Sequence, residues 1–209
     1  MWNSLVTLVP GEIIAVIVKG GLIMIPLLAS SLIAVTVIIE RWYFWRSLRP
    51  HEVDRTILAL VAEADFKRAL EVAGTSRHPV ARVLHAGIQS RHVSPGTAMQ
   101  AAAQAELRQL RRYLPVLDTI ITLAPLLGLL GTITGMISAF GIVSAAGLGQ
   151  PHAITGGIAE ALIATATGLL VAIVTLIPYN YFRARVDEMA DVMEERATRL
   201  ELLLGKRED

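Results

Sequence analysis

The sequence predicts an all-α, polytopic membrane protein with three transmembrane helices extended by cytoplasmic helices. Two observations lead there. Apolar residues make up 54% of the 209 positions and charged residues only 18%, giving a mean hydropathy of +0.55. A soluble domain of this length rarely carries so much apolar side chain, because its exterior must stay hydrated. The charges are also segregated: three long stretches hold almost none, while the segments between them look like ordinary soluble protein. Apolar runs of about 20 residues, set between charged segments, match the hydrocarbon thickness of a bilayer.

The opening segment, residues 1–19, reads as extracytoplasmic. Its first basic residue is Lys19 and no small-x-small site precedes a soluble stretch, so no cleavable signal peptide is expected. The apolar part from Leu5 to Val18 is interrupted at Pro10-Gly11 and flanked by Trp2. It is too short to cross between Glu12 and Lys19, so an interfacial helix on the outer surface is expected, with a fourth span as the alternative.

The first span covers residues 20–39, whose rise of about 1.5 Å per residue crosses about 30 Å of hydrocarbon. Pro26 lies inside it and predicts a local kink. Residues 40–115 form a cytoplasmic helical region. Leu58, Val61, Ala62, Phe66 and Ala69 recur at helical spacing, and Gly74 to Pro79 breaks that pattern. Val80 to Gln89 forms another helix, and Ser94-Pro95 opens the next, with Ser as N-cap and Pro in the first turn. Pro115 is expected to bend the junction into the second span, residues 116–143. A short periplasmic loop, 144–152, leads to the third span at 153–181, whose helix continues into a cytoplasmic tail, 182–209. In that tail Val186, Met189, Val192, Met193, Leu200 and Leu203 form an apolar stripe suited to packing.

Orientation follows from the cations. Of 19 Lys and Arg residues, every one except Lys19 falls on one side of the three spans, and Ser144 to Pro151 contains none. The positive-inside rule therefore places the N-terminus in the periplasm and the C-terminus in the cytoplasm. Trp42, Tyr43, Phe44 and Trp45, with Tyr113, Tyr179, Tyr181 and Phe182, mark the same interface.

Within the spans, Glu160 is the residue that carries chemistry. A carboxylate inside a lone apolar helix costs roughly 2.5–3.5 kcal/mol on insertion scales, so it is expected to face protein or a hydrated path. A carboxyl is also a group that takes up and releases protons. The competing reading is a helix tie that only bonds a neighbour. Thr132 in the second span and Thr165 and Thr167 in the third add hydroxyls. Glu160 and Thr167 share a helix face, whereas Thr165 lies about 140° round from Glu160. Hydroxyls in membrane helices commonly bond their own backbone, which is the plainer reading of each threonine. Asp118 either marks a cytoplasmic mouth or pairs with Arg111 or Arg112.

Small residues predict close helix packing: Gly128, Gly131 and Gly135 with Ala124 and Ala139 on one span, and Gly157 and Gly168 with Ala161, Ala164 and Ala172 on the other. His78, His85 and His92 recur every seven residues, but Pro79 and Ser94-Pro95 interrupt any common helix and no acid accompanies them, so no metal site is expected. With no cysteine there is no thiol chemistry, and no nucleotide loop or nucleophilic triad appears, so neither a cofactor nor an enzymatic reaction is expected. A net charge of +1 gives no ground for a nucleic-acid partner.

The run LDTIITLAPLLGLLGTITGMISAF from Leu117 to Phe140, followed by GGIAEALIATATGLLVAIVTLIPYNYF from Gly156 to Phe182, resembles the MotA/TolQ/ExbB proton-channel family. The match is dense over the last two spans and topological elsewhere. The resemblance implies that Glu160 is the intramembrane carboxylate of the family and that Thr132 and Thr165 are its pore-lining threonines. It implies an oligomeric helical bundle, a homopentamer around two copies of a single-span ExbD-like or TolR-like partner whose own aspartate carries the proton. It implies force transmission to a TonB-like or TolA-like transducer, all within a bacterial inner membrane. The ATATGL wording after Glu160 fits the ExbB branch better than TolQ, and the four-span MotA branch is less similar. A TolQ-like role and a non-conducting scaffold stay as alternatives, while three spans give no inverted repeat for a permease. One acid and a few hydroxyls cannot form a proton wire across ~30 Å, so several copies or a second protein must complete it.

Overall fold

The computed structural model describes residues 20–48, 53–146 and 151–205. Every element among them is an α-helix: α1 (Met24–Ser47), α2 (Val53–Ala62), α3 (Phe66–Thr75), α4 (Pro79–Gln89), α5 (Pro95–Leu110), α6 (Leu114–Ala146) and α7 (Pro151–Gly205). Three of these, α1, α6 and α7, are long and apolar enough to cross a membrane. The protein is thus an all-α polytopic membrane protein. The interfacial helix expected before Lys19 lies outside the described residues.

Two compact units divide the chain: residues 1–39 with 115–179, and residues 40–114 with 180–209. The first unit is built from the start of α1, nearly all of α6 and the first half of α7. Its small core joins Met24, Leu27, Ala124 and Ala172, with Ile23, Leu127 and Val171 packed against it. Large apolar side chains such as Leu32, Leu126, Ile137, Leu162, Leu170 and Ile177 point outward and remain exposed. So many large side chains facing outward is what a lipid solvent permits, since burial of apolar groups gains nothing there.

Pro26 does not sit mid-helix. It is the third residue of α1, where its missing N–H is one that the first turn leaves unpaired anyway, so no interior hydrogen bond is lost. The usual cause of a proline kink, a lost interior hydrogen bond, is therefore missing at this position. Two other prolines do lie inside helices, Pro125 in α6 and Pro178 in α7.

The second unit packs α2 to α5 with the far ends of α1 and α7 around Ile57, Val61, Leu84, Ile88, Met99, Phe182, Met193 and Leu200, all buried. Asp65 caps α3, its side chain accepting from the Arg68 backbone N–H at 3.1 Å. Ser94 is the N-cap of α5 with Pro95 at the first position, but its hydroxyl donates to Thr97 Oγ1 at 2.7 Å and makes no bond to a backbone N–H. The bend before α6 falls at Tyr113, whose φ of +66° breaks the chain direction two residues ahead of Pro115. A left-handed aromatic residue costs roughly 1–2 kcal/mol. Arg41, only 2% exposed, stands against this turn. Its guanidinium lies 5.5 Å from the Tyr113 ring and 4.4 Å from that of Phe44, and donates to the Gln109 carbonyl at 3.3 Å. That carbonyl belongs to the last turn of α5, where it also accepts from the Arg112 N–H at 3.2 Å.

Arg196 of α7 donates to Asp54 of α2 at 2.6 Å, both largely buried. Removing one partner of a buried pair strands the other charge, so Asp54→Ala is expected to destabilise this unit by about 3 kcal/mol. That is the lower end of the usual range, because Glu195 still accepts from Arg196. Denaturation of the purified protein would show it. The exposed Arg185–Glu188 pair serves as control, where Glu188→Ala should cost no more than about 0.5 kcal/mol.

Candidate functional site

Helices α6 and α7 run antiparallel, and their small residues meet along one seam. A Cβ placed on Gly128 would stand 3.0 Å from Thr165 Cα and 3.1 Å from the Ala164 carbonyl oxygen. One on Gly135 would lie 2.8 Å from the Gly157 carbonyl, and one on Gly157 would lie 2.8 Å from Ala139 Cβ. Gly131 faces the Ala164 methyl, and Gly168 faces the Ala124 carbonyl. The two stripes legible in the sequence therefore face each other, backbone against backbone.

Thr165 crosses this seam. Its hydroxyl donates to the Gly128 carbonyl at 3.0 Å. The other hydroxyls of α6 and α7 singled out above turn back on their own helices: Thr132 to Leu129 at 2.7 Å and Thr167 to Ile163 at 2.8 Å. Thr132 also borders a shallow, open depression on the outer face of α6 with Ile133, Met136, Ile137 and Phe140.

Glu160 is half-buried on α7. Its side chain lies over Gly21, in the turn that leads into α1. Residues 20–39, 115–146 and 151–179 contain no Lys or Arg, and Asp118 is their other charged residue. Among the described residues, no hydrogen bond or ion pair holds the Glu160 carboxyl. Asp118 is exposed in the second turn of α6, its carbonyl accepting from Thr122 at 3.2 Å. Arg111, one of the two cations considered for it, lies 4.0 Å from Asp187.

Within a single chain the site residues do not converge. Glu160 and Thr167 share one side of α7, Thr165 points at α6, and Thr132 lies toward an outer surface. Sequence reasoning missed Gly21, whose only signal is a Gly-Gly pair ahead of an apolar run. The three histidines are dispersed: His78 precedes α4 as its N-cap, His85 lies within α4 beside Gly74, and His92 follows it.

The sequence model of the MotA/TolQ/ExbB proton channel family matches residues 75–195. The chain is 40% identical over 194 residues to the putative biopolymer transport protein ExbB-like 1 of Synechocystis, covering 88% of this chain and 76% of that protein. The ExbB-like 3 protein of the same organism is 36% identical over 197 residues, covering 91% and 94%. The Tol-Pal system protein TolQ of Pseudomonas aeruginosa is 30% identical over 181 residues, with 78% of each chain covered.

Proposed function

This chain belongs to the MotA/TolQ/ExbB proton channel family, and we propose that it is the proton-channel and motor subunit of an ExbB–ExbD–TonB-type complex, which uses the proton motive force to energise outer-membrane transport. The observation that carries this reading is Glu160: a carboxyl in a unit of apolar helices, without a cation in the described part of that unit and without a bonded partner there. A structural tie would be expected to hold a bond. A proton-exchanging group must be free to change partners.

In this reading five copies surround a dimer of a single-span, ExbD-like partner in a bacterial inner membrane, N-terminus periplasmic and C-terminus cytoplasmic. A TonB-like transducer receives the force. Glu160, Thr132, Thr165 and Thr167 border the path, and Asp118 stands at its cytoplasmic mouth. The dispersal of these side chains over one protomer accords with a path completed by neighbours and by the partner helix. The energy is adequate, since one charge crossing 100 mV yields about 2.3 kcal/mol. A TolQ-like role in envelope maintenance is the second reading, supported by the likeness to TolQ over most of both chains.

The test is a native mass measurement on complexes purified with and without a co-expressed single-span partner, followed by proton flux in liposomes. Five copies with two partner chains, and flux only when both are present, are expected. Selective recovery of a TolR-like partner would move the assignment to the envelope system. Absence of flux with every partner would leave a scaffold.

A further inference from the structure

We propose that Gly21 is a positioning residue for the Glu160 carboxyl: the turn ahead of α1 is a seat on which that carboxyl rests, and the missing side chain at position 21 sets its depth. This rests on the reading of Glu160 as the proton-path acid. Gly21 has φ +72°, and the place its Cβ would take is filled by Glu160 Oε1, with Cδ at 2.7 Å and Cγ at 3.2 Å. The end of the acid therefore lies directly against the Gly21 backbone. Gly20 is closed in the same way, a Cβ there standing 2.7 Å from Met24 Sδ and 3.2 Å from Ile163 Cγ2.

The seat is firm. The Gly21 carbonyl accepts from the Met24 N–H at 3.1 Å and Leu22 from Ile25 at 3.2 Å, so the first hydrogen bonds at the start of α1 hold the turn. What faces the carboxyl from this turn is backbone and apolar side chain. Among the described residues of the unit, the remaining acid, Asp118, lies on α6 some way along from Gly131, which stands at the level of Ile23. In this position the half-buried side chain rests against its own chain on the Gly21 side. Reaching a neighbouring helix requires it to leave the seat by side-chain rotation, so the geometry of the turn governs both its resting place and its reach.

A side chain at position 21 would push the carboxyl off. Alanine adds the collision and also strains a left-handed backbone, whereas asparagine tolerates positive φ and adds the collision alone. The experiment compares Gly21→Ala, Gly21→Asn and Glu160→Gln in the full complex with its partner. It measures assembly by size, proton flux in liposomes, and the infrared carboxyl bands of Glu160, assigned by their loss in Glu160→Gln. Displacement by about an ångström is expected to lower flux roughly ten- to a hundredfold in Gly21→Asn, with assembly intact and the bands moved. Adding Glu160→Asp, one methylene shorter, should recover flux above that of Gly21→Asn alone.

Normal flux and unmoved bands in Gly21→Asn would overturn the proposal, whether or not Gly21→Ala assembles. Failure of the parent reading looks different: Glu160→Gln itself would then conduct normally. If Glu160→Gln is silent while Gly21→Asn conducts normally, only the seat is lost.

Discussion

Glu160→Ala is expected to abolish energy-dependent uptake at the outer membrane while the complex still assembles. The two halves of that outcome have separate causes. The α6–α7 seam is formed by Gly128, Gly131, Gly135, Gly157 and Gly168 and the alanines beside them, and the Glu160 side chain takes no part in it. Truncating the side chain removes its contact with Gly21 and no bonded partner among the described residues. Folding should therefore be unharmed, and the helix should become easier to insert, since a carboxylate in the membrane carries a cost of roughly 2.5–3.5 kcal/mol. Uptake driven by the proton motive force, measured beside complex yield, checks both halves. Normal uptake in the variant would remove Glu160 from the path.

Gly168→Val has the opposite signature, loss of folded protein. Its new carbon would collide with the Ala124 carbonyl and stand 3.1 Å from Gly128 Cα and 3.2 Å from Gly128 N. These obstacles are backbone atoms of a neighbouring helix, which cannot rotate aside as a side chain would. Overpacking of this kind costs about 3 kcal/mol or more, a large part of the stability of a domain. Gly141→Val supplies the contrast, because a Cβ there has no neighbour within 4 Å. Thermal unfolding in detergent should separate the pair: a sharply lowered midpoint or no recoverable protein for Gly168→Val, and little change for Gly141→Val. Equal behaviour would mean the seam is not where the two helices hold together.

The spans and the packing stripes were legible in the sequence because each depends on one helix at a time. Length and apolarity reveal a crossing segment, and glycines at spacings of three and four reveal a close-packed face. Contacts between distant residues were less accessible. The Gly20-Gly21 pair and Glu160 are both visible, yet nothing in either announces the other, since their meeting depends on where α1 starts against α7. Helix geometry puts Thr165 about 140° round from Glu160, but which carbonyl accepts from its hydroxyl depends on the depth of the Gly128 groove. Local backbone choices also escaped the rules. Pro115 was the obvious breaker, whereas the chain turns at Tyr113, a residue disfavoured there and held beside the buried Arg41. Pro26 predicted a kink on the assumption that its helix began several residues earlier than Met24.

The bond from Thr165 to the Gly128 carbonyl has a mechanical consequence. A track of glycines and alanines is smooth, so it resists separation of two rods far better than it resists sliding. Sliding by one residue, about 1.5 Å, would lengthen and misalign this 3.0 Å bond and so weaken it. This directional bond thus favours one register of the α6–α7 seam over the neighbouring ones under axial load.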